Sequence, residues 1–175
     1  VALTTTINTP FGAKMMVPGL GIILNNQMDD FAIAPGVANV YRLTGSEANA
    51  IAPGKRPLSS MTPTIVTKHD RPVLVLGGSG GPTITTGVLQ VALDVLDFHE
   101  PPDQAVVQAR IHDQASPDVA AIEKAMPSST IAALEAMGFK TRSVPMLGAV
   151  TAIAISPSGM KGAGDPRKGG AAAGY

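Results

Sequence analysis

The stretch RPVLVLGGSGGPTITTGVLQVALDVLDF, residues 71–98, joins a predicted strand to a predicted helix through a run of glycines. Pro72–Leu76 is short, apolar and rich in Val, which is typical of a buried strand. Thr83–Phe98 has no charged residue before Asp94 and is apolar on nearly all sides, which indicates a buried helix. Because two successive apolar elements must bury their faces against each other, this stretch predicts a layered fold.

Further strands and helices are predicted on both sides of this stretch. Thr64–His69 precedes it and is expected to pair with Pro72–Leu76 as a hairpin. Residues Ala32–Leu58 are rich in Pro, Gly, Ala and Asn, which predicts a long loop. The other predicted strands are Val1–Asn8, Gly21–Asn25, Val119–Ile122, Thr141–Val144 and Val150–Ser156, and the other predicted helices are Asp103–Arg110 and the Ser-capped Ser128–Met137. This order predicts an α+β fold, with residues 1–175 forming a single domain.

The composition of the 175 residues argues against several functional classes. Thirteen basic and thirteen acidic side chains cancel, so no net charge attracts nucleic acid. With 45% apolar and 15% charged residues, the chain is too apolar to be disordered. It has no Cys for a disulfide or a thiolate metal site, three His without metal-ligand spacing, and no apolar run of about 18 residues that predicts a membrane span.

The glycine run Gly77–Gly81 has four interpretations when only the residues are considered. It fits the G-x-S-x-G nucleophile elbow with Ser79 as the nucleophile, although such a hydrolase needs an acid and a His in a much longer sheet. It lacks the Lys-Ser/Thr pair of a phosphate-binding loop. In the third interpretation its backbone N–H groups face a developing oxyanion beside a helix N-terminus, and in the fourth it is an ordinary turn.

Two short polar pairs are further candidates for a binding site. Asp29-Asp30 follows a predicted strand and is either a solvated turn or a carboxylate site for a cation such as an amino group. Ser59-Ser60 either stabilises a local turn through its hydroxyls or offers two hydroxyl donors to a carboxylate.

Six blocks of sequence, in order along the whole chain, resemble one known family. The blocks are NTPFG at 8–12, GIILNNQMDDF at 21–31, KRPLSSM at 55–61, the glycine pair at 80–81, ARIHDQ at 109–114, and an ending that runs from DPR at 165–167 to AGY at 173–175. Together they closely resemble the small subunit of the γ-glutamyltranspeptidases, also called glutathione hydrolases. Their number and order make a chance match implausible.

The resemblance implies a fold, an activity and a partner. The family fold is the N-terminal-nucleophile (Ntn) hydrolase αββα sandwich, of which this chain would be the small-subunit part. The family cleaves its own precursor before a Thr, which then carries the γ-glutamyl group of glutathione and related compounds to water, amino acids or peptides. That Thr would lie about one strand and a turn before Val1, so this chain alone is expected to be inactive. The implied partner is the large subunit of the same precursor, the implied location is periplasmic or secreted, and no cofactor is implied.

The resemblance also assigns roles to individual residues. The α-amino group of the substrate would be bound by Asn8, Gln27 and Asp30, its α-carboxylate by Ser59 and Ser60, and the oxyanion by the N–H groups of Gly80 and Gly81. Thr6 matches a second Thr that helps to activate the nucleophile. Residues 35–46 match a lid loop with Tyr41 as its shielding aromatic, and Ser79 has no counterpart among the family's catalytic residues.

Three other functions remain open on the sequence. A related Ntn acylase or a poly-γ-glutamate-processing enzyme would use the same scaffold, although the retained amino-acid-binding residues favour an α-amino acid substrate. A hydrolase with Ser79 as nucleophile would be complete within this chain. A non-catalytic ligand-binding module would keep the binding residues without turnover.

Overall fold

The computed structural model describes residues 1–174, and Tyr175, the last residue of the family-like ending, lies outside the described residues. Their contacts divide the chain into two compact units. We call Thr5–Ser60 the loop unit, and residues 1–4 with 61–174 the sheet unit. The predicted single domain stays a prediction, and each unit is described by itself below.

The sheet unit contains two sheets and three α-helices. Its strands are β1 (Thr64–Lys68), β2 (Arg71–Ser79), β3 (Ile111–His112), β4 (Ala120–Glu123), β5 (Thr141–Val144), β6 (Ala149–Ser156) and β7 (Gly159–Ala163). Its helices are α1 (Thr83–Leu96), α2 (Pro102–Ala105) and α3 (Ser128–Ala136). The larger sheet has the order β1-β2-β6-β7 and is antiparallel throughout, whereas in the smaller sheet β3 pairs antiparallel and β5 parallel with β4.

The predicted hairpin and the strand–glycine–helix unit are confirmed. β1 and β2 are joined by His69 and Asp70, which both have positive φ (51° and 60°), as a type I′ turn requires. β2 continues three residues further than predicted, through the glycines to Ser79, and pairs there with β6. A Cβ on Gly78 would lie 2.7 Å from the Ala149 carbonyl oxygen, so glycine lets β6 pair this closely.

The main core lies between α1 and the larger sheet. One face of the helix is buried, and its residues recur with helical spacing at Ile84, Val88 and Val91. They pack against buried residues of the sheet, namely Leu74, Leu76, Val150 and Ala152. Each fully buried side chain of this kind contributes about 1.5–3 kcal/mol to stability. The opposite face of α1 is not buried within the described residues, since Leu89 is 56% exposed and Leu93 is 39% exposed.

Two acids and two arginines form a buried network next to this core. Arg110 and Asp165 are each only 1% exposed, and the Arg110 guanidinium donates to the Asp165 carboxylate at 2.8 Å. The same carboxylate accepts the backbone N–H of Val150, the second residue of β6, at 2.9 Å. Arg167 donates to both oxygens of Glu123 on β4, at 2.9 and 2.6 Å. The network therefore joins β4, β6 and the segment after β7.

The hydrogen bonds of this network decide the protonation of its acids. Burial by itself raises the pKa of Asp165, but the hydrogen bonds from Val150, Arg167 and Arg110 outweigh it and hold that pKa below its ordinary value. Burial opposes ionisation of Glu123 in the same way, and the Arg167 side chain is the largest of the contributions that lower its pKa. Both acids are therefore ionised at neutral pH.

Two of the predicted strands are wrong. Val1–Asn8 has no ladder partner among the described residues and does not form a strand; Val1 and Leu3 are largely exposed. Gly21–Asn25 contributes only one isolated bridge, between Ile23 and Met16, inside a turn of the loop unit. Alternation predicted Val1–Asn8, and Gly21–Asn25 was predicted as a short apolar strand, whereas a strand needs a neighbour to accept its hydrogen bonds.

Two of the predicted helix features are also wrong. The helix predicted over Asp103–Arg110 is limited to the single turn Pro102–Ala105. The chain leaves helical geometry there because the Arg110 side chain is drawn into the buried network and its backbone N–H donates to Glu123. The cap of α3 is Pro127 rather than a Ser, and it makes no side-chain hydrogen bond.

The loop unit contains no regular strand or α-helix among its described residues. It has two 3₁₀ helices, Gln27–Asp30 and Glu47–Asn49, and isolated bridges that join Ala32 to Ala50 and Ala38 to Thr44. The predicted long loop at 32–58 is therefore confirmed, with one short helical turn inside it. In residues 1–174 no helix has the length and apolarity needed to cross a membrane.

The buried pair predicts a large stability difference between two matched substitutions. Asp165→Asn leaves the buried Arg110 guanidinium without its countercharge, and we expect a loss of about 3–5 kcal/mol in the free energy of unfolding. Asp118→Asn removes a partner of Lys140 in an exposed pair, and we expect no measurable change. Urea unfolding followed by circular dichroism measures both. Equal effects of the two substitutions would contradict the importance of the buried pair.

The same network predicts how stability depends on acid. The folded-state pKa values of Asp165 and Glu123 lie below their ordinary values of 3.8 and 4.5. The contribution of these two acids to the free energy of unfolding is therefore complete when the pH is above the ordinary values. It is lost as the pH falls through the lowered folded-state pKa values. Urea unfolding between pH 7 and pH 3 should show the decline in the unaltered protein and a smaller one in Asp165→Asn. A decline of the same size in both proteins would exclude Asp165 as a source of it.

Candidate functional site

The carboxylate of Asp30 lies at the centre of a polar cluster in the loop unit. Asp30 ends the 3₁₀ helix that Gln27 begins, so that one turn brings the two side chains together, and Gln27 Nε2 donates to Asp30 Oδ2 at 2.8 Å. Asn8, far away in sequence, also hydrogen-bonds the Asp30 carboxylate. We call Asn8, Gln27, Asp30 and Tyr41 the Asp30 cluster.

Tyr41 joins the cluster from the long loop. Its hydroxyl donates to Asn8 Oδ1 at 2.8 Å. The side-chain oxygen of Asn39 accepts the backbone N–H groups of Tyr41 and Leu43, at 2.9 and 3.1 Å, and so shapes the loop at this position. Burial raises the pKa of the Tyr41 phenol, as do the charges of Asp30 and Asp29, so the hydroxyl stays protonated and acts as a donor.

Asn8 is held in an unusual backbone conformation by its neighbours. Its φ of 75° is in the left-handed region, which Asn adopts more readily than most residues. Its backbone N–H donates to the hydroxyl of Thr6 at 2.8 Å, and its Nδ2 donates to the backbone oxygen of Asn26 at 3.2 Å. Thr6 is exposed, and its hydroxyl supports the cluster by accepting this backbone N–H of Asn8.

The electrostatics of the cluster favour a cationic ligand. Burial raises the pKa of Asp30, the hydrogen bond from Asn8 opposes this rise, and the charge of Asp29 adds to it. The side-chain oxygen of Gln27 is buried and has no hydrogen-bond partner among the described residues. A buried acceptor without a donor is unfavourable, so a ligand that brings several N–H donors and a positive charge would satisfy Gln27 and Asp30 together.

A cavity of about 110 Å³ lies beside the cluster within the loop unit. Asp30, Tyr41 and Ser60 line it, together with Asn49 and a set of mostly apolar residues. Ser59 is exposed, and its neighbour Ser60 is partly buried. The structure thus brings the carboxylate of Asp30, the phenol of Tyr41 and the hydroxyl of Ser60 to one cavity.

The glycine pair Gly80-Gly81 lies in the sheet unit, between the end of β2 and the start of α1. Gly80 has a φ of 145° and Gly81 a φ of 61°, both in the region that favours glycine. A Cβ on Gly80 would lie 2.6 Å from the Cα of Gly148, so the two backbones approach each other closely. The backbone N–H groups here precede the first turn of a helix, where donors lack intrahelical partners.

The other interpretations of the glycine run fit the structure less well. Ser79 is the last residue of β2 rather than a residue in a sharp elbow. His112 is buried, and its two ring nitrogens hydrogen-bond Thr86 and Gln114 instead of Ser79. His69 and His99 are exposed. Across residues 1–174, no group of three or more His, Asp or Glu side chains could hold a metal ion.

The residues that sequence reasoning missed are mainly asparagines and one glycine. Asn26, Asn39 and Asn49 hydrogen-bond the backbone and hold the loop unit around the Asp30 cluster. Gly148 has a φ of 67° and permits the close approach to Gly80. The only signal for the asparagines was their frequency in the loop, since Asn readily hydrogen-bonds the backbone.

Comparison with known proteins gives consistent matches over the whole chain. A family model described as Gamma-glutamyltranspeptidase matches residues 1–175. The glutathione hydrolase proenzyme of Escherichia coli (strain K12) is 45% identical over 168 residues, which cover 95% of this chain and 29% of that protein. The glutathione hydrolase proenzyme of Pseudomonas aeruginosa is 42% identical over 171 residues, which cover 95% of this chain and 31% of that protein.

The solved structures agree with this result. The gamma-glutamyltranspeptidase from Pseudomonas nitroreducens complexed with L-DON has a TM-score of 0.93 and 40% identity, and the match covers 100% of this chain and 93% of that chain. The expected α+β fold, the small-subunit part of an Ntn hydrolase, is thereby confirmed. The chain spans less than a third of the length of the two curated relatives, which are named as proenzymes. On the family model, the sequence identity and the fold, this chain belongs to the gamma-glutamyltranspeptidase family.

Proposed function

We propose that this chain is part of an enzyme that transfers the γ-glutamyl group of glutathione and related compounds to water, amino acids or peptides. The observation that carries the proposal is the Asp30 cluster, in which a carboxylate lies beside the buried, unpartnered oxygen of Gln27. A γ-glutamyl group carries an ammonium and a carboxylate on one carbon. The ammonium supplies an N–H donor for the Gln27 oxygen and a positive charge for the Asp30 carboxylate.

The remaining binding groups have complementary roles in this proposal. The hydroxyls of Ser59 and Ser60 donate to the α-carboxylate, and Asn8 supplies a further acceptor for the ammonium. The phenol of Tyr41, on a loop beside the cavity, limits the access of water to the bound group. These groups hold the glutamyl end of the substrate in one orientation.

The chemical step is acyl transfer through a covalent intermediate. A Thr hydroxyl outside this chain attacks the γ-carbonyl carbon, and its proton passes to the nitrogen of the leaving amine as the C–N bond breaks. Water or an acceptor amine then attacks the glutamyl ester, and its proton passes to the Thr oxygen as the ester bond breaks. The N–H groups of Gly80 and Gly81 donate to the carbonyl oxygen as negative charge develops on it. Thr6 is proposed to hydrogen-bond the nucleophile, in keeping with its exposed position next to Asn8.

The proposal includes a second polypeptide, the large subunit of the same precursor. The proenzyme names of the curated relatives and the small share of them that this chain spans support it. Exposed apolar side chains of the sheet unit support it as well, because Phe98, Met137 and Met160 are each more than 70% exposed. From the family resemblance, we also propose a periplasmic or secreted location.

Removal of the charge of Asp30 tests the ammonium site. Asp30→Asn in the intact enzyme keeps the shape of the side chain but removes the charge that faces the substrate ammonium. We expect kcat/KM for a γ-glutamyl anilide to fall at least tenfold, which is about 1.4 kcal/mol. The matched control is Asp29→Asn, since Asp29 is exposed and interacts with Asn26. A control that loses as much activity as Asp30→Asn would contradict the assignment.

Two substitutions in the glycine run test the oxyanion site. Gly81→Val places a branched side chain at a positive φ, and we expect it to abolish most of the turnover. Ser79→Ala is expected to keep most of it, because only the neighbouring backbone donors take part. Steady-state kinetics and circular dichroism are measured together, so that a folding defect is recognised, and Gly81→Ala serves as the milder variant. An inactive, folded Ser79→Ala enzyme would instead support a Ser79 hydrolase.

A further inference from the structure

The side chain of Asn49 connects the two segments of the loop unit that carry the proposed binding groups. Its Nδ2 donates to the backbone oxygen of Asp30 at 2.8 Å. Its Oδ1 accepts the backbone N–H of Leu58 at 2.9 Å. Leu58 directly precedes Ser59-Ser60, so one amide group spans from the residue with the carboxylate to the residue before the hydroxyls.

The backbone of Asn49 is itself held in place. It ends the 3₁₀ helix Glu47–Asn49, and its N–H donates to the backbone oxygen of Ser46 at 2.9 Å. Its own backbone oxygen accepts the N–H of Ala32 at 2.9 Å, beside the bridge between Ala32 and Ala50. Because Ala32 is buried, this backbone hydrogen bond is shielded from water, and it places the Asn49 amide within reach of both partners.

Only an Asn side chain suits this place among residues of similar size. The link needs one donor and one acceptor on a short, planar group, and an amide supplies both. An Asp has no donor for the Asp30 carbonyl, and an Ala has neither group. Asn49 also lines the same cavity as Asp30 and Ser60, so a change in its length or hydrogen bonding acts directly at the wall between them.

We propose that Asn49 is a positioning residue that sets the separation between the Asp30 carboxylate and the hydroxyls of Ser59 and Ser60. The inference rests on the proposed function, in which the first group binds the ammonium of a glutamyl group and the second binds its carboxylate. A ligand that carries both charges on one carbon binds both groups only when their separation fits. A ligand with one of the two charges does not depend on that separation.

Three small ligands separate this role from a general structural one. L-glutamate carries both charges, glutarate lacks the amino group, and 4-aminobutyrate lacks the α-carboxylate. Their dissociation constants are measured by ligand-observed NMR titration of the intact enzyme and of Asn49→Ala. We expect the dissociation constant of L-glutamate to rise at least tenfold in the variant, and those of glutarate and 4-aminobutyrate to change less than threefold.

Two further variants make the test specific. Asn49→Asp keeps the acceptor for Leu58 but removes the donor for Asp30, and we expect the same selective loss of L-glutamate binding if Asn49→Ala does not fold. Lys55→Ala removes a hydrogen bond to the backbone oxygen of Ala50 in the same loop and leaves both hydrogen bonds of the Asn49 amide in place. This control is expected to leave the three dissociation constants unchanged.

The outcomes distinguish the inference from the proposed function. An equal loss of affinity for all three ligands in the Asn49 variants, or no loss for any of them, would overturn the positioning role. If the unaltered enzyme binds L-glutamate but does not cleave a γ-glutamyl anilide, the proposed reaction fails and the positioning role is still decided by the titrations. If the unaltered enzyme does not bind L-glutamate, both are wrong.

Discussion

The buried ion pair between Arg110 and Asp165 is the interaction on which the sheet unit depends. Two opposite charges this deep in a protein are tolerated only when their hydrogen bonds are nearly complete. Asp165 meets this condition because it accepts from the Arg110 guanidinium and from the backbone of Val150 and Arg167. The bond to Val150 fixes the start of β6, and β6 begins directly after Gly148, which touches the backbone of Gly80. The charge pair thus holds the strand that begins beside the glycine pair, although it is not part of the candidate site.

The loop unit reaches its structure by a different physical route. It has few buried apolar side chains, Phe31 and Ala32 among them, and no regular sheet within its described residues. Its shape is held instead by side-chain amides that bond the backbone, each worth on the order of 1 kcal/mol. Segments held in this way open more easily than a packed core. The groups of the Asp30 cluster all lie in this unit. Easier opening suits a binding site that must admit and release its ligand.

Sequence patterns predicted the elements that pack into the main core of the sheet unit. They failed where contacts between residues distant in sequence determine the local structure. The β1–β2 hairpin, α1 and β6 followed from periodicity and turn residues, because these segments bury one face against each other. Val1–Asn8 alternates as a strand should, yet within residues 1–174 it forms no ladder with another strand. The helix predicted to continue to Arg110 stops early, because the buried position of that arginine is a long-range contact that no local pattern records.

Family resemblance proposes the residues of the candidate site, whereas local pattern does not single them out. By pattern alone, Asp29-Asp30 is equally a solvated turn, and the two residues become distinct only when Gln27 and Asn8 are seen to bond one of them. Asn49 had no signal of its own, since its role depends on two partners at positions 30 and 58 that meet only in the fold. The candidate binding residues therefore had to be inferred from a family. Asn49, which connects the segments that carry them, had to be found in the structure.

Recognition of a ligand with both charges explains why such a site needs a fixed separation. A carboxylate by itself attracts any cation, and two hydroxyls by themselves bind any carboxylate, so neither group distinguishes an α-amino acid from simpler ions. Discrimination arises when both contacts must form at once, because a ligand that makes only one of them leaves buried polar groups unpaired. The distance between the groups then carries the specificity. In this chain that distance is spanned by one amide, which bonds the residue that bears the carboxylate and the residue that precedes the hydroxyls.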